Sequence, residues 1–133
     1  MILVDSSVLI DLLEKTPEWF QWSSEQLFSA AMRDQIGINA LVYAEISRAF
    51  STWRDQETFL DRTGLVYLHI PAEAAYEANQ AHKLYRSRGG TRAATLPDFF
   101  IGAHAAVEGY TLMTRDARRI HTYFPDVPSI SPR

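Results

Sequence analysis

Short apolar runs alternate along the chain with longer segments of helical periodicity. Four of these runs predict strands, namely residues 2–4, 36–38, 65–70 and 110–113. The first is typical of a strand buried on both faces, whereas residues 65–70 alternate weakly. Residues 127–130 are a candidate edge strand. Strands that alternate with helices form parallel sheets, because each crossover returns the chain to the same edge. The pattern predicts an α/β fold with a short, mainly parallel central sheet of about four to five strands flanked by helices.

The segments between these apolar runs contain residues that are typical of helix ends. Ser6 or Ser7 can cap the first helix, and Asn39 can cap the third. Thr16 followed by Pro17 signals the start of the second helix. The predicted helices cover residues 6–13, 16–33, 40–50, 54–61, 71–88, 97–108 and 117–122, with a loop at 91–95.

Composition narrows the class of protein. The chain has 133 residues and a mass of 15.1 kDa, which fits a single domain spanning residues 1–133. It has no cysteine, so disulfide scaffolds, thiol nucleophiles and cysteine-based metal sites are excluded. The opening segment carries Asp5 and Asp11 within its apolar stretch, which is not the pattern of a signal peptide. No apolar run approaches the length of a membrane span, so we expect a cytoplasmic protein.

Four carboxylates are predicted to reach one edge of the sheet. Asp5 directly follows the first predicted strand, and Asp116 lies in the turn after the fourth. Asp98 stands at a helix start, and Glu45 lies in the helix after the second strand. Binding sites of parallel sheets lie beyond the carboxyl ends of the strands. Four acids there would repel one another unless cations lie among them, and oxygen ligands favour Mg²⁺ or Mn²⁺ over zinc. Such a cluster is typical of metal-dependent phosphodiester hydrolysis.

Each of these acids also has an ordinary structural explanation. Asp5 and Asp98 can simply cap the helices that follow them, because acids are favoured at helix N-termini. Asp116 can be a turn residue, and Glu45 can be an exposed helix acid. These alternatives weaken when the four positions are taken together, because one fold places all of them at one edge.

The charge is unevenly distributed along the chain. The net charge is −3, but residues 1–85 hold six basic and twelve acidic side chains, whereas residues 86–133 hold seven basic and four acidic ones. Every basic residue of the second part is arginine, whose planar guanidinium suits phosphate. A solvated basic face is the plainer explanation. The candidate phosphate-binding residues are Arg86, Arg88, Arg92 and Arg115.

Three stretches of the sequence resemble the PIN-domain family of metal-dependent ribonucleases, and in particular its VapC-type toxins. They are ILVDSSVLIDLL at the start, INALVYAEI in the middle and LPDFFIGAHAAVEGYTLMTRD towards the end. The resemblance implies a PIN-like α/β/α sandwich. It also implies that Asp5, Glu45, Asp98 and Asp116 form the family's acidic cluster, with Ser6 and Thr114 as supporting hydroxyls. His104 falls where many relatives have a small residue or threonine.

The same resemblance implies a function. It indicates an endoribonuclease that depends on Mg²⁺ or Mn²⁺, acts as the toxin of a toxin–antitoxin pair, forms a homodimer and is inhibited by a small antitoxin protein. Our hypothesis is that Asp5, Glu45 and Asp98 hold the principal metal, that Asp116 completes the site directly or through water, and that a metal-activated water cleaves the RNA.

Other functions remain to be weighed against this one. The chain fits a PIN-domain RNA-processing nuclease that is not a toxin, or a catalytically silent PIN-like module that only binds. A phosphotransfer receiver or a haloacid-dehalogenase-like phosphatase is disfavoured, because Asp5 is followed by Ser6 and Ser7 where those families place a further acid.

Overall fold

The central sheet has five parallel strands in the order β3-β2-β1-β4-β5. The computed structural model describes residues 1–90 and 94–133, so the candidate phosphate-binding residue Arg92 lies outside the described residues. The strands are β1 (Ile2–Val4), β2 (Ile36–Ile38), β3 (Leu65–Tyr67), β4 (Thr111–Met113) and β5 (Ser129–Ile130). The α/β architecture with a short parallel sheet is therefore confirmed.

Helices cover both faces of this sheet and connect its strands. Their bounds are α1 (Ser6–Leu13), α2 (Phe20–Arg33), α3 (Ala40–Ile46), α4 (Trp53–Thr63), α5 (Ala72–Ser87), α6 (Leu96–Glu108) and α7 (Arg118–Tyr123). A 3₁₀ turn at Ser47–Ala49 follows α3, where the sequence predicted that the helix continues. In the described part of the chain, none of these helices has the length and apolar character needed to cross a membrane.

One predicted cap and one predicted helix start were wrong, although α1 itself begins at Ser6 as predicted. Asp5, rather than Ser6 or Ser7, is the N-cap of α1, because its backbone is extended and its carboxylate accepts a hydrogen bond from the Ser6 amide. The second helix begins at Phe20 rather than near Thr16. The carbonyl of Thr16 instead accepts hydrogen bonds from the amides of Trp19 and Phe20, which form a turn before the helix.

The third strand is shorter than predicted. The strand covers only Leu65–Tyr67, because its neighbour β2 is itself three residues long, and the last hydrogen bond between them runs from the Leu68 amide to the Ile38 carbonyl. Strand β4 is also shorter than predicted, since it begins at Thr111 rather than at residue 110.

The core surrounds β1, whose side chains are almost completely buried. Helix α6 packs closely against α5, and the two share a cluster of small side chains around Phe99. Gly102 in α6 permits a close approach to Phe124, since a Cβ there would lie 2.6 Å from Phe124 Cδ2. These contacts fix the helix whose first turn carries Asp98.

Candidate functional site

The direction in which strands are added to the sheet reverses between β1 and β4. β2 and β3 lie on one side of this pair and β5 lies on the other. A parallel sheet opens a crevice beyond the carboxyl ends of its strands at such a reversal, and ligands bind there. Asp5 follows β1 and Thr114 follows β4, so both residues stand at this crevice.

Asp5 is held from several directions. Its Oδ2 accepts hydrogen bonds from Thr114 Oγ1 at 2.9 Å and from Ser7 Oγ at 2.9 Å, while Oδ1 accepts from the Ser6 amide at 2.9 Å. The Asp5 amide donates to the carbonyl of Met113, which joins the ends of β1 and β4. The carboxylate is thus fixed by hydroxyls and backbone rather than by a basic side chain.

Glu45 reaches the same region from α3. Its Oε2 accepts a hydrogen bond from Ser6 Oγ at 3.2 Å. Ser6 itself is buried at the start of α1, directly after Asp5. The two supporting hydroxyls suggested by the sequence resemblance, Ser6 and Thr114, therefore contact two different carboxylates.

Asp98 and Asp116 are exposed, and each is bound to a neighbour in the sequence. Asp98 Oδ2 accepts from the Thr95 amide at 2.7 Å, which completes a capping box at the start of α6. Asp116 forms an ion pair with Arg118 and accepts a hydrogen bond from the Arg118 amide at 3.0 Å. Asp98 thus caps its helix, as one of the alternatives proposed, and the charge of Asp116 is balanced by Arg118. Both residues nevertheless line a small cleft together with Asp5.

The electrostatics separate these acids into two kinds. Burial raises the pKa of Asp5, and the nearby Asp98 carboxylate adds to that rise against the effect of its hydrogen bonds. Burial also raises the pKa of Glu45, and repulsion from Asp5 and Asp98 acts in the same direction. By contrast, the hydrogen bonds from Arg118 lower the pKa of Asp116 to about 2. Three carboxylates from distant parts of the sequence therefore repel one another, whereas Asp116 has a cationic partner.

The donor set suits a hard divalent cation. Asp5, Glu45 and Asp98 offer only carboxylate oxygens, the ligands that Mg²⁺ and Mn²⁺ prefer, and a cation among them would offset their repulsion. As the side chains stand, no three acidic or histidine residues within 1–90 and 94–133 surround a common point closely enough to hold one ion. Each carboxylate is turned towards its own hydrogen-bond partner, so metal binding would require these side chains to reorient.

The predicted phosphate-binding arginines lie at different distances from these acids in the fold. Arg115 lines the crevice beside Asp5, and its Nε lies 3.3 Å from the buried carboxylate of Asp11. Arg86 and Arg88 are exposed at the end of α5, where the Arg88 guanidinium lies over the ring of Tyr123.

Sequence reasoning missed another basic residue. Arg119 lines the cleft shared by Asp5 and Asp98, and its guanidinium lies over the ring of Tyr85. The clustering of arginines in the last third of the chain was the available signal for it.

His104 faces the interior rather than the crevice. It is fully buried in α6, and its Nδ1 lies 3.1 Å from the side-chain nitrogen Nδ2 of Asn39, the residue that caps α3. Burial lowers the pKa of His104. The pair connects the start of the helix that carries Glu45 to the helix that carries Asp98, a link that nothing in the local sequence indicated.

A parallel α/β domain with acids at its strand reversal belongs to the class that binds its ligands at that crevice. The protein-family model of the PIN domain matches residues 2–125, and the chain therefore belongs to the PIN-domain family, whose members are nucleases. A comparison with curated proteins found no match.

Solved structures with the same fold come from toxin–antitoxin complexes. VapBC2 from Rickettsia felis, bound to a DNA fragment from its promoter, aligns with a TM-score of 0.73 at 18% identity over 100% of both chains. A toxin–antitoxin complex from Klebsiella pneumoniae gives 0.70 at 21% identity over 100% of this chain and 98% of that chain. FitAcB from Neisseria gonorrhoeae gives 0.68 at 19% identity over 99% and 98%.

Proposed function

We propose that this protein is a Mg²⁺- or Mn²⁺-dependent endoribonuclease that acts as the toxin of a toxin–antitoxin pair. The observation that carries the proposal is the meeting of acids at the strand reversal of a PIN domain, where Asp5 and Asp98 line one cleft and Ser6 donates hydrogen bonds to both Asp5 and Glu45. Carboxylates brought together from three separated segments are costly for a fold, and a bound divalent cation offsets that cost.

Each residue of the site has a role in this proposal. Asp5, Glu45 and Asp98 would hold the ion, and Asp116 would contribute directly or through water after release from Arg118. Ser6 and Thr114 orient two of the carboxylates through the hydrogen bonds they donate. A bound divalent ion would supply the Lewis acidity that makes water nucleophilic near neutral pH and offsets charge on the phosphate.

The surrounding arginines favour a polyanionic substrate. Arg115 and Arg119 each line a cleft that Asp5 also lines, so cationic groups stand beside the proposed metal ligands. Guanidinium groups at that position can hold phosphates on either side of the scissile bond. Arg86 and Arg88 lie further along the surface, where they would contact more distant phosphates.

The toxin role rests on the structural neighbours. Those compared above are complexes of toxins with antitoxins, and this chain covers nearly their whole length. We therefore propose a small antitoxin protein as inhibitor, a homodimer as the working form and the cytoplasm as the compartment. An RNA-processing nuclease with the same chemistry is distinguished by growth, because only a toxin arrests cells when it is expressed without its partner.

Cleavage of RNA by the purified protein tests the chemistry. Structured RNA is incubated with Mg²⁺, with Mn²⁺ and with chelator, using the wild-type protein, Asp98→Ala and the control Asp61→Asn, whose exposed side chain lies on α4. We expect metal-dependent internal cleavage by the wild type and the control and loss of cleavage by Asp98→Ala. Cleavage that persists in chelator, or in Asp98→Ala, would contradict the proposal.

A further inference from the structure

A second cleft adjoins the acidic site and has a different character. It has a volume of about 260 Å³, and the acidic side of its lining consists of Asp5 and Asp116 with the hydroxyl of Thr114. The rest of the lining includes an aromatic ring and two arginines, namely Trp19, Arg115 and Arg133. The cleft therefore brings proposed metal ligands together with a cationic, aromatic wall.

One arginine of this wall, Arg115, is anchored by a buried charge. Asp11, in α1, is fully buried, and such a carboxylate costs several kcal/mol unless it is paired. Its Oδ2 accepts a hydrogen bond from Ser23 Oγ at 2.7 Å and lies 3.3 Å from Arg115 Nε. Within the described residues, its Oδ1 has no hydrogen-bond partner. The charge of Arg115 is thus the principal compensation for Asp11, which restrains that guanidinium beside the cleft.

The ring of Trp19 orients both guanidinium groups. The Cζ atom of Arg115 lies 5.6 Å from the ring centroid, and that of Arg133 lies 5.1 Å from it. Both distances fall within the range of cation–π attraction. The backbone around Arg133 is held as well, since its amide donates to Ser131 Oγ at 3.0 Å and its carbonyl accepts from that hydroxyl. Two cations that would otherwise repel each other are therefore kept together on one aromatic platform.

We propose that Trp19, Arg115 and Arg133 form a subsite for a backbone phosphate of the RNA strand, one position along from the phosphate that is cleaved, and that Asp11 is its positioning residue. The inference rests on the proposed function for the identity of the strand. Two guanidinium groups in a restrained geometry can donate several hydrogen bonds to one phosphate. The acidic side of the cleft would then hold the scissile phosphate through the metal, and the cationic side would fix the register of the strand.

Binding in chelator tests the subsite separately from cleavage. The probe is an end-labelled, single-stranded oligoribonucleotide, and its affinity is measured by fluorescence anisotropy across a series of salt concentrations. We expect Trp19→Ala to weaken binding about tenfold and Trp19→Phe to restore most of it, because phenylalanine keeps an aromatic face. Arg133→Ala should lower the slope of log affinity against log salt by about 0.7, the value for one lost phosphate contact on a single strand.

Matched controls distinguish a local subsite from general charge. Trp53, 74% exposed on α4, and Arg62, exposed on the same helix, lie away from the cleft. Trp53→Ala and Arg62→Ala should leave both the affinity and the salt slope unchanged. Equal effects of the control and subsite variants would overturn the proposal. Competition by an acidic polypeptide as effective as that by RNA would also overturn it, because the cleft would then be a peptide site.

The positioning role of Asp11 needs a readout that general destabilisation would not move. In Asp11→Asn we expect the KM for RNA cleavage to rise about fivefold with kcat within about twofold and with Mn²⁺ affinity unchanged. If that variant does not fold, Arg115→Lys, which keeps the charge but not the planar fork, should give the same change in KM. A fall in kcat with KM unchanged in the folded variant would overturn the role of Asp11.

The outcomes also separate this inference from the proposed function. A wild-type protein that never cleaves RNA but binds it in a manner dependent on Trp19 and Arg133 would refute the nuclease and retain the subsite. A protein that cleaves RNA with metal but whose Trp19→Ala and Arg133→Ala variants bind normally would retain the nuclease and refute the subsite.

Discussion

Two aspartates at adjacent strand ends stand in opposite electrostatic states. Asp5, after β1, is surrounded by hydroxyl and backbone donors, and burial raises its pKa. Asp116, after the neighbouring strand β4, is exposed and paired with Arg118, whose hydrogen bonds lower its pKa to about 2. Among the contacts described, the inner wall of the site (Asp5, Ser6 and Thr114) thus holds a carboxylate without a cationic partner, whereas Asp116 at the rim is already paired. The sequence position of an acid at a sheet edge therefore does not by itself define its role.

The largest expected effect is that of Asp5→Asn. Loss of a supporting group beside a metal costs roughly 10- to 100-fold in metal affinity or activity, and loss of a central ligand should cost more. We expect cleavage to fall by more than about 100-fold, while the melting temperature rises by a few degrees, because a buried charge that faces Asp98 is removed. Activity assays and thermal unfolding measure the two effects. A marked loss of stability would mean that Asp5 is chiefly a structural cap.

The supporting hydroxyls come next. Thr114→Val removes the hydrogen bond to Asp5 while keeping the shape of the side chain, and Ser6→Ala removes the one to Glu45. We expect each to weaken Mn²⁺ binding by roughly 10-fold, as measured by titration calorimetry. Thr122→Val is the control, since Thr122 Oγ1 donates only to a carbonyl within α7 among the contacts described. Unchanged Mn²⁺ affinity in both variants would remove the distinction between inner wall and rim.

We expect His104, which is buried in the interior next to Asn39, to make the free energy of unfolding depend on pH. Burial lowers the pKa of His104, so folding favours the neutral ring. Its contribution is complete above the unfolded-state pKa of about 6.5 and is lost as the pH falls below that value, with a slope of at most about 1.4 kcal/mol per pH unit. Urea unfolding across this range should show that slope flattened in His104→Gln but not in the exposed control His121→Gln. An unchanged slope in His104→Gln would assign the pH dependence elsewhere.

Asp116→Asn should have the smallest effect on stability. Its ion pair with Arg118 is largely exposed, so screening by solvent leaves it little effect on the free energy of unfolding. We expect cleavage to fall less than in Asp5→Asn, because Asp116 acts at the rim. Kinetics of the two variants, measured side by side, sharpen the comparison. Equal losses of activity would place both aspartates among the central metal ligands.

The sheet could be predicted from sequence because its strands are short and apolar. Ile2–Val4 and Ile36–Ile38 are buried along their whole length, so each stands out as an uninterrupted apolar run. The predicted strand continued to residue 70, but the last contact with β2 is the hydrogen bond from the Leu68 amide to the Ile38 carbonyl, where the neighbouring strand ends. Strand limits therefore depend on partners distant in sequence, which a local pattern cannot reveal.

The topology of the sheet predicted which residues of the candidate site lie at its edge, but not which side chains contact one another. The rule that parallel strands end at one edge placed Asp5 beside the residues after β4. It gave no information on side-chain partners, such as the ion pair of Asp116 with Arg118 or that of Arg115 with Asp11. Asp11 shows the limit, since an acid within an apolar stretch indicated only that the segment is not a signal peptide.

The hydrogen bond from Thr114 to Asp5 joins residues that are 109 positions apart. Strand β1 also gains one of its two neighbours in the sheet only when β4 has been made. During synthesis, the first aspartate leaves the ribosome long before the segment that completes its surroundings, and domains acquire such distant contacts late. A nascent chain that has not yet emerged beyond β4 therefore lacks the assembled centre. For the proposed nuclease, the order of translation thus delays assembly of the site until β4 and Thr114 have been made.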